Sequence, residues 1–199
     1  MKIFNKTGSA SITSVLLLVL LCIPVGASSA SWSLEAAPSV LLPDTDFFGA
    51  DLSPGISAGF GIEINSSFRL KQRFGYYYAE ADPDNFEIFN TRFFLDYFPL
   101  AWNRFRPVVS AGIALVTANP PAASGSRKSF RPSQTVFFLS GGAGAEYAGI
   151  SENIDISAMM TVLASPYRYR KYYFDSCNTV YEEAQFTHAL FSVAVIYGF

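Results

Sequence analysis

In Phe186-Thr-His-Ala-Leu-Phe-Ser-Val-Ala-Val-Ile-Tyr-Gly-Phe199, the residues Phe191, Val193, Val195, Tyr197 and Phe199 fall on one face of a strand. Side chains alternate across a strand, and about 9–11 tilted residues cross a bilayer, so the segment has the length and the one-sided apolarity of a membrane-crossing strand. An aromatic stands at its end.

The same rhythm recurs upstream. Seven further strands are predicted: 31–42, 55–65, 68–81, 86–100, 105–119, 135–150 and 154–167. In the second, Ile56, Ala58, Phe60, Ile62 and Ile64 oppose Ser57, Gly59, Gly61 and Glu63. In the fourth, Phe89, Phe93, Leu95 and Tyr97 oppose Asn90, Arg92 and Asp96, and Phe94 breaks the pattern. Pro38 weakens the first strand, because proline cannot donate to a ladder. Short turns are expected at Asn65-Ser-Ser67, Ala101-Trp-Asn-Arg104 and Ser151-Glu-Asn153. Longer connections include Asp82-Pro-Asp-Asn85, the loop from Pro120 to Arg127, and Arg168 to Gln185. Short turns at one end and long loops at the other are the asymmetry of an outer-membrane barrel.

The N-terminus carries Lys2 and Lys6, then the apolar run Val15 to Ile23, then small residues at Val25-Gly-Ala27 and Ser28-Ser-Ala30. That order is a secretory signal peptide, which predicts residues 1–30 as signal and 31–199 as one barrel domain. The apolar run is shorter than the roughly 20 residues of a spanning helix. Cys22 follows Val19-Leu-Leu, with Leu where lipid processing wants a small residue, so lipidation is not expected. Loss of Lys2 and Lys6 would leave twelve basic against sixteen acidic groups, a charge of −4, and no basic patch for nucleic acid. Cys177 would be the only remaining cysteine, which rules out an intramolecular disulfide in the mature chain.

Alternation alone does not say which face meets water, and a secreted lipocalin-like barrel is the rival. The polar faces are mostly Gly, Ala and Ser, and only 15% of the chain is charged, against about 25–35% for a soluble surface. Tyr76-Tyr-Tyr78, Tyr97-Phe98 and Tyr197 to Phe199 lie towards strand ends, as aromatic girdles do. The expected fold class is therefore an all-β, eight-stranded antiparallel up-and-down transmembrane barrel in the bacterial outer membrane.

Over Ser31 to Phe199 the chain resembles the small outer-membrane β-barrels of the OmpA/OmpX/OmpW kind. The resemblance rests on Val195-Ile-Tyr-Gly-Phe199, on Arg104-Phe-Arg-Pro-Val-Val-Ser-Ala-Gly112, and on Gly141-Gly-Ala-Gly-Ala-Glu-Tyr147 before a short turn. It implies that Tyr197 and Phe199 serve as a signal read by the barrel-assembly machinery, besides acting as girdle aromatics. Outer-membrane lipid and lipopolysaccharide are the expected partners, with lipopolysaccharide phosphates or host surfaces the expected contacts of the basic and aromatic loop stretches.

Strand parity assigns Glu35, Glu63, Arg69, Lys71, Arg73, Arg92, Asp96, Glu146 and Asp155 to the lumen. Unpaired buried charge is costly, so these groups are expected to pair, either as a structural plug or as a gated path whose pairs exchange partners. An eight-stranded interior is filled by its own side chains, which favours the plug. His188 is the only histidine, and Ser192 lies about 13 Å further along the strand, too far for a catalytic pair. One histidine and one mature cysteine do not suggest a zinc site, and Gly141 to Gly144 lacks the spacing of a phosphate cradle. No enzymatic activity and no cofactor are expected. Recognition would fall to the loops, where Ser126-Arg-Lys-Ser-Phe-Arg131 is basic and Tyr167-Arg-Tyr-Arg-Lys-Tyr-Tyr-Phe174 mixes cations with aromatics. The expected role is structural or surface-interacting, with a narrow solute channel and a lipid A-modifying enzyme as alternatives.

Overall fold

In the computed structural model the alternating segments pair edge to edge until no edge is left. The structure describes residues 31–43, 52–80, 85–100, 102–119, 134–175 and 178–199. Residues 1–30, where the signal peptide is expected, Cys177, most of the Asp82 to Asn85 turn and all of the loop between Asn119 and Gln134 lie outside the described residues.

Ten strands form: β1 (Trp32–Leu42), β2 (Ser53–Asn65), β3 (Phe68–Glu80), β4 (Asn85–Tyr97), β5 (Phe105–Asn119), β6 (Gln134–Ser151), β7 (Ile154–Ala164), β8 (Tyr169–Asp175), β9 (Asn178–Ala184) and β10 (Thr187–Gly198). Eight close a barrel in the order β1-β10-β7-β6-β5-β4-β3-β2, and every neighbouring pair is antiparallel. The other two pair as a hairpin inside the Arg168 to Gln185 connection, which the sequence pattern had left without strands. Its base continues the barrel, since Ser165 N donates to Phe186 O at 2.9 Å and Gln185 Nε2 donates to Ser165 O at 2.7 Å.

The short turns are chemically distinct. Asn65 Oδ1 accepts from Ser67 N and Phe68 N at 2.9 and 3.0 Å, an Asx-type turn. Asn103 adopts φ 59° in the second turn, a left-handed conformation that asparagine tolerates better than most residues. Between β6 and β7 the register shifts between Tyr147 and Ser151, and Gly149 takes up the irregularity at φ 69°.

Barrel closure joins β1 to β10. Trp32 and Phe199 exchange backbone hydrogen bonds of 3.3 and 3.0 Å at the short-turn end. Pro38 sits inside β1 after all: it pairs with Ile56 of β2, but the ladder to β10 passes from Ala36–Val195 to Ser39–Ser192, omitting Ala37 and Pro38. The missing N–H is thus accommodated at an interruption of the closing seam.

The outward face is apolar. Leu34, Ile56, Phe74, Phe89, Ile113, Met160, Phe191 and Val195 are all exposed, Ile56 to 68%. A soluble monomer rarely shows apolar patches beyond a few hundred Å², so a surface of this kind requires lipid. The girdle is narrower than the sequence pattern suggests. Tyr76, Tyr78, Tyr97, Tyr197 and Phe199 face out, whereas Tyr77 and Phe98 point into the lumen and are buried.

Candidate functional site

The lumen is layered along the barrel axis. At the short-turn end lies a vestibule of about 400 Å³ whose lining includes Glu63, Arg69, Arg106 and Asp155. Arg69 is the centre of this layer. Its Nη1 donates to Glu146 Oε2 at 2.8 Å, and its Nη2 donates to Glu63 Oε1 at 2.6 Å and Glu146 Oε1 at 3.2 Å. Arg106 pairs with Glu146 and reaches Asp155 at 3.4 Å, while Asp155 also accepts from Gly149 N at 2.7 Å. The Phe98 ring lies 5.1 Å from the Arg69 guanidinium and 4.9 Å from that of Arg106, within cation–π range.

The middle layer is drier. Lys71 Nζ donates to Glu35 Oε2 at 2.9 Å and stands 3.2 Å from Asp96 Oδ2. Arg73 pairs through Nε with Glu35 and donates from Nη1 to Ser192 Oγ at 3.0 Å. All of these side chains are buried. Phe94, the residue that broke the alternation of β4, explains itself here. Its ring lies 6.0 Å from the Lys71 ammonium and 5.6 Å from the guanidiniums of both Arg73 and Arg92. Gly112 is its register partner on β5, and a Cβ there would stand 2.6 Å from Phe94 Cα and Cβ. The glycine makes the room that lets Phe94 turn inward.

Of the nine lumen charges read from parity, Glu35, Glu63, Arg69, Lys71, Arg73, Asp96, Glu146 and Asp155 enter ion pairs. Arg92 does not. It is fully buried, and its Nε and Nη2 find no hydrogen-bond partner among the described residues. The expectation of complete pairing therefore fails at this residue. Arg106 was missed, although Ser110 and Gly112 set the inward parity of β5 and would have placed it.

Above the charges, towards the long loops, the inward face turns apolar. Leu41, Tyr77, Ile88, Val136, Phe138, Leu163, Phe186 and Leu190 belong to one buried cluster. His188 lies among them, 0% exposed, with its ring 4.9 Å from that of Phe138. Ser192, below it on β10, is the acceptor of Arg73.

A closed eight-stranded antiparallel barrel with an apolar exterior and a side-chain-filled interior defines a small outer-membrane β-barrel protein. The fold and the exterior together place this chain in the bacterial outer membrane.

No protein-family model matches the sequence, and no curated protein matches it. Solved structures do share the fold. Neisserial surface protein A aligns with TM-score 0.59 at 16% identity, over 85% of this chain and 97% of that one. OprG from Pseudomonas aeruginosa aligns with TM-score 0.59 at 11% identity, over 86% and 96%. AlkL, determined by solid-state NMR in lipid bilayers, aligns with TM-score 0.60 at 13% identity, over 86% and 90%.

Proposed function

We propose that this chain is a structural and surface-interaction protein of the outer membrane, which engages lipopolysaccharide through its long-loop end and does no chemistry. The observation that carries the reading is the filled lumen. Two layers of interlocked charges and an apolar layer above them occupy the interior from the vestibule to the loops. A solute path would have to part both kinds of packing, which weighs against a channel. His188 weighs against a lipid A-modifying enzyme, because it is sealed inside the apolar layer while lipid A would lie outside the barrel wall.

Recognition then falls to the β8–β9 hairpin and its approach. Tyr167 and Arg168 are exposed at its base, and the hairpin sequence Tyr169-Arg-Lys-Tyr-Tyr-Phe174 offers cations suited to phosphate beside aromatics suited to the interface. Tyr197 and Phe199, both exposed, would also serve the assembly machinery during insertion.

Replacing residues 169–184 by a short Gly-Ser turn should leave the boiling-dependent gel shift of a closed barrel intact and abolish binding to lipopolysaccharide-containing vesicles. The full chain in planar bilayers should give no resolved conductance steps. Discrete steps of uniform size would replace this reading with the channel, and undiminished vesicle binding by the hairpin deletion would remove the hairpin from the interaction.

A further inference from the structure

Among the described residues, the charges inside the barrel balance in number but not in position. The vestibule layer holds the cations Arg69 and Arg106 against Glu63, Glu146 and Asp155. The middle layer holds Lys71, Arg73 and Arg92 against only Glu35 and Asp96. One positive charge is therefore left over where the lumen is driest, and it falls on Arg92. Arginine stays protonated in proteins, so the group cannot escape by losing its proton.

Register makes the problem sharper. Arg73 and Arg92 are direct cross-strand partners on β3 and β4, and both side chains point inward. Like charges facing each other across a strand pair repel. Glu35 and Ser192 satisfy part of Arg73, yet among the described residues its Nη2 has no hydrogen-bond partner, and neither do Nε and Nη2 of Arg92. Asp96 is four residues from Arg92 on the same face of β4, and Phe94 stands between them.

Against this pair lies a small cavity of about 10 Å³, lined by Arg73, Arg92, Phe94, Ser110, Ser140, Met159 and Thr161. That is room for a single small occupant, since one water needs roughly 10–15 Å³, and a chloride ion, being larger, requires the lining side chains to shift. Sulfate and phosphate are too large. A water would supply acceptor lone pairs without relieving the charge. A monatomic anion does both, with unpartnered guanidinium N–H groups of Arg73 and Arg92 and the hydroxyl residues Ser110, Ser140 and Thr161 in the lining.

We propose that the Arg73–Arg92 cavity is a binding site for one small monovalent anion, with chloride the natural occupant. The anion completes the middle layer electrically and fixes Arg92 against Phe94. The site is enclosed by the barrel, so its role is to stabilise the native lumen.

Two measurements test this on the full-length barrel in detergent. Crystals grown in or soaked with sodium bromide should show an anomalous peak between the Arg73 and Arg92 side chains; a bromide-free site with ordered water there would overturn the proposal. The melting temperature should rise, saturably, as sodium chloride replaces sodium gluconate at constant ionic strength. Arg92→Met should abolish that dependence whatever it does to the baseline, and Thr161→Val should weaken it without removing a charge. Equal melting in both salts for the native protein, or an unchanged chloride response in both variants, would also sink it.

Discussion

The two halves of the lumen are built on the same parity and filled with opposite chemistry. Between the vestibule and Phe94 the inward positions carry guanidinium, ammonium and carboxylate groups; from Tyr77 and Phe138 upward they carry leucine, isoleucine, valine and aromatic side chains. The charged half opens to water at one end, so Glu63 is 36% exposed while Glu35, in the middle layer, is buried. The apolar half faces the loops and excludes water. A narrow barrel can thus be held from inside by two different means, and they differ in what happens when one side chain is lost. Removing an ion partner leaves a bare charge, whereas removing an apolar group leaves a void.

That contrast can be broken experimentally by urea unfolding in lipid vesicles. The largest effect is expected for Glu35→Ala, which strands Arg73 and leaves Lys71 with Asp96 alone, at a cost of about 3–5 kcal/mol. Next comes Leu163→Ala in the apolar layer, which should cost about 2–5 kcal/mol, towards the low end if the loop-end packing can collapse. Phe94→Leu keeps apolar bulk but removes the ring shared by three cations, so a loss of about 1–2 kcal/mol is expected. The smallest effect belongs to Glu63→Ala, at about 1 kcal/mol or less, because its pair with Arg69 is open to the vestibule. If Glu63→Ala and Glu35→Ala shift the midpoint equally, the division of the charged half into wet and dry layers is wrong.

The number of barrel strands, their faces and the barrel class were legible in the sequence because side-chain parity is a local property. Ile56, Ile62 and Phe74 face out and Arg69, Arg73 and Glu146 face in, as their positions in the alternation require. What parity does not carry is height along the axis. Tyr77 and Phe98 were grouped with girdle aromatics because neighbouring aromatics sit at strand ends, yet their odd-man position in the alternation sends them inward. Phe94 looked like an error in β4 until Gly112, on another strand, was seen to vacate the space it fills. Arg92 could not be recognised as the surplus charge without the register that sets it against Arg73. The β8–β9 hairpin escaped for a different reason: the sequence from Tyr169 to Ala184 has no one-sided apolar face, and its two strands pair only with each other, outside the barrel sheet.

The seam between β1 and β10 carries a kinetic meaning beyond its geometry. It joins the strands farthest apart in the chain, whereas most of the other contacts of the barrel link sequence neighbours across a turn. Non-local pairing must absorb loop-closure entropy before its hydrogen bonds return anything, so this junction is expected to form last. Until it does, two strands carry unpaired backbone groups that hydrocarbon cannot solvate. The interruption at Ala37 and Pro38 leaves the junction with the fewest paired residues of any ladder in the wall, and so makes it the place where the cylinder is expected to open most readily.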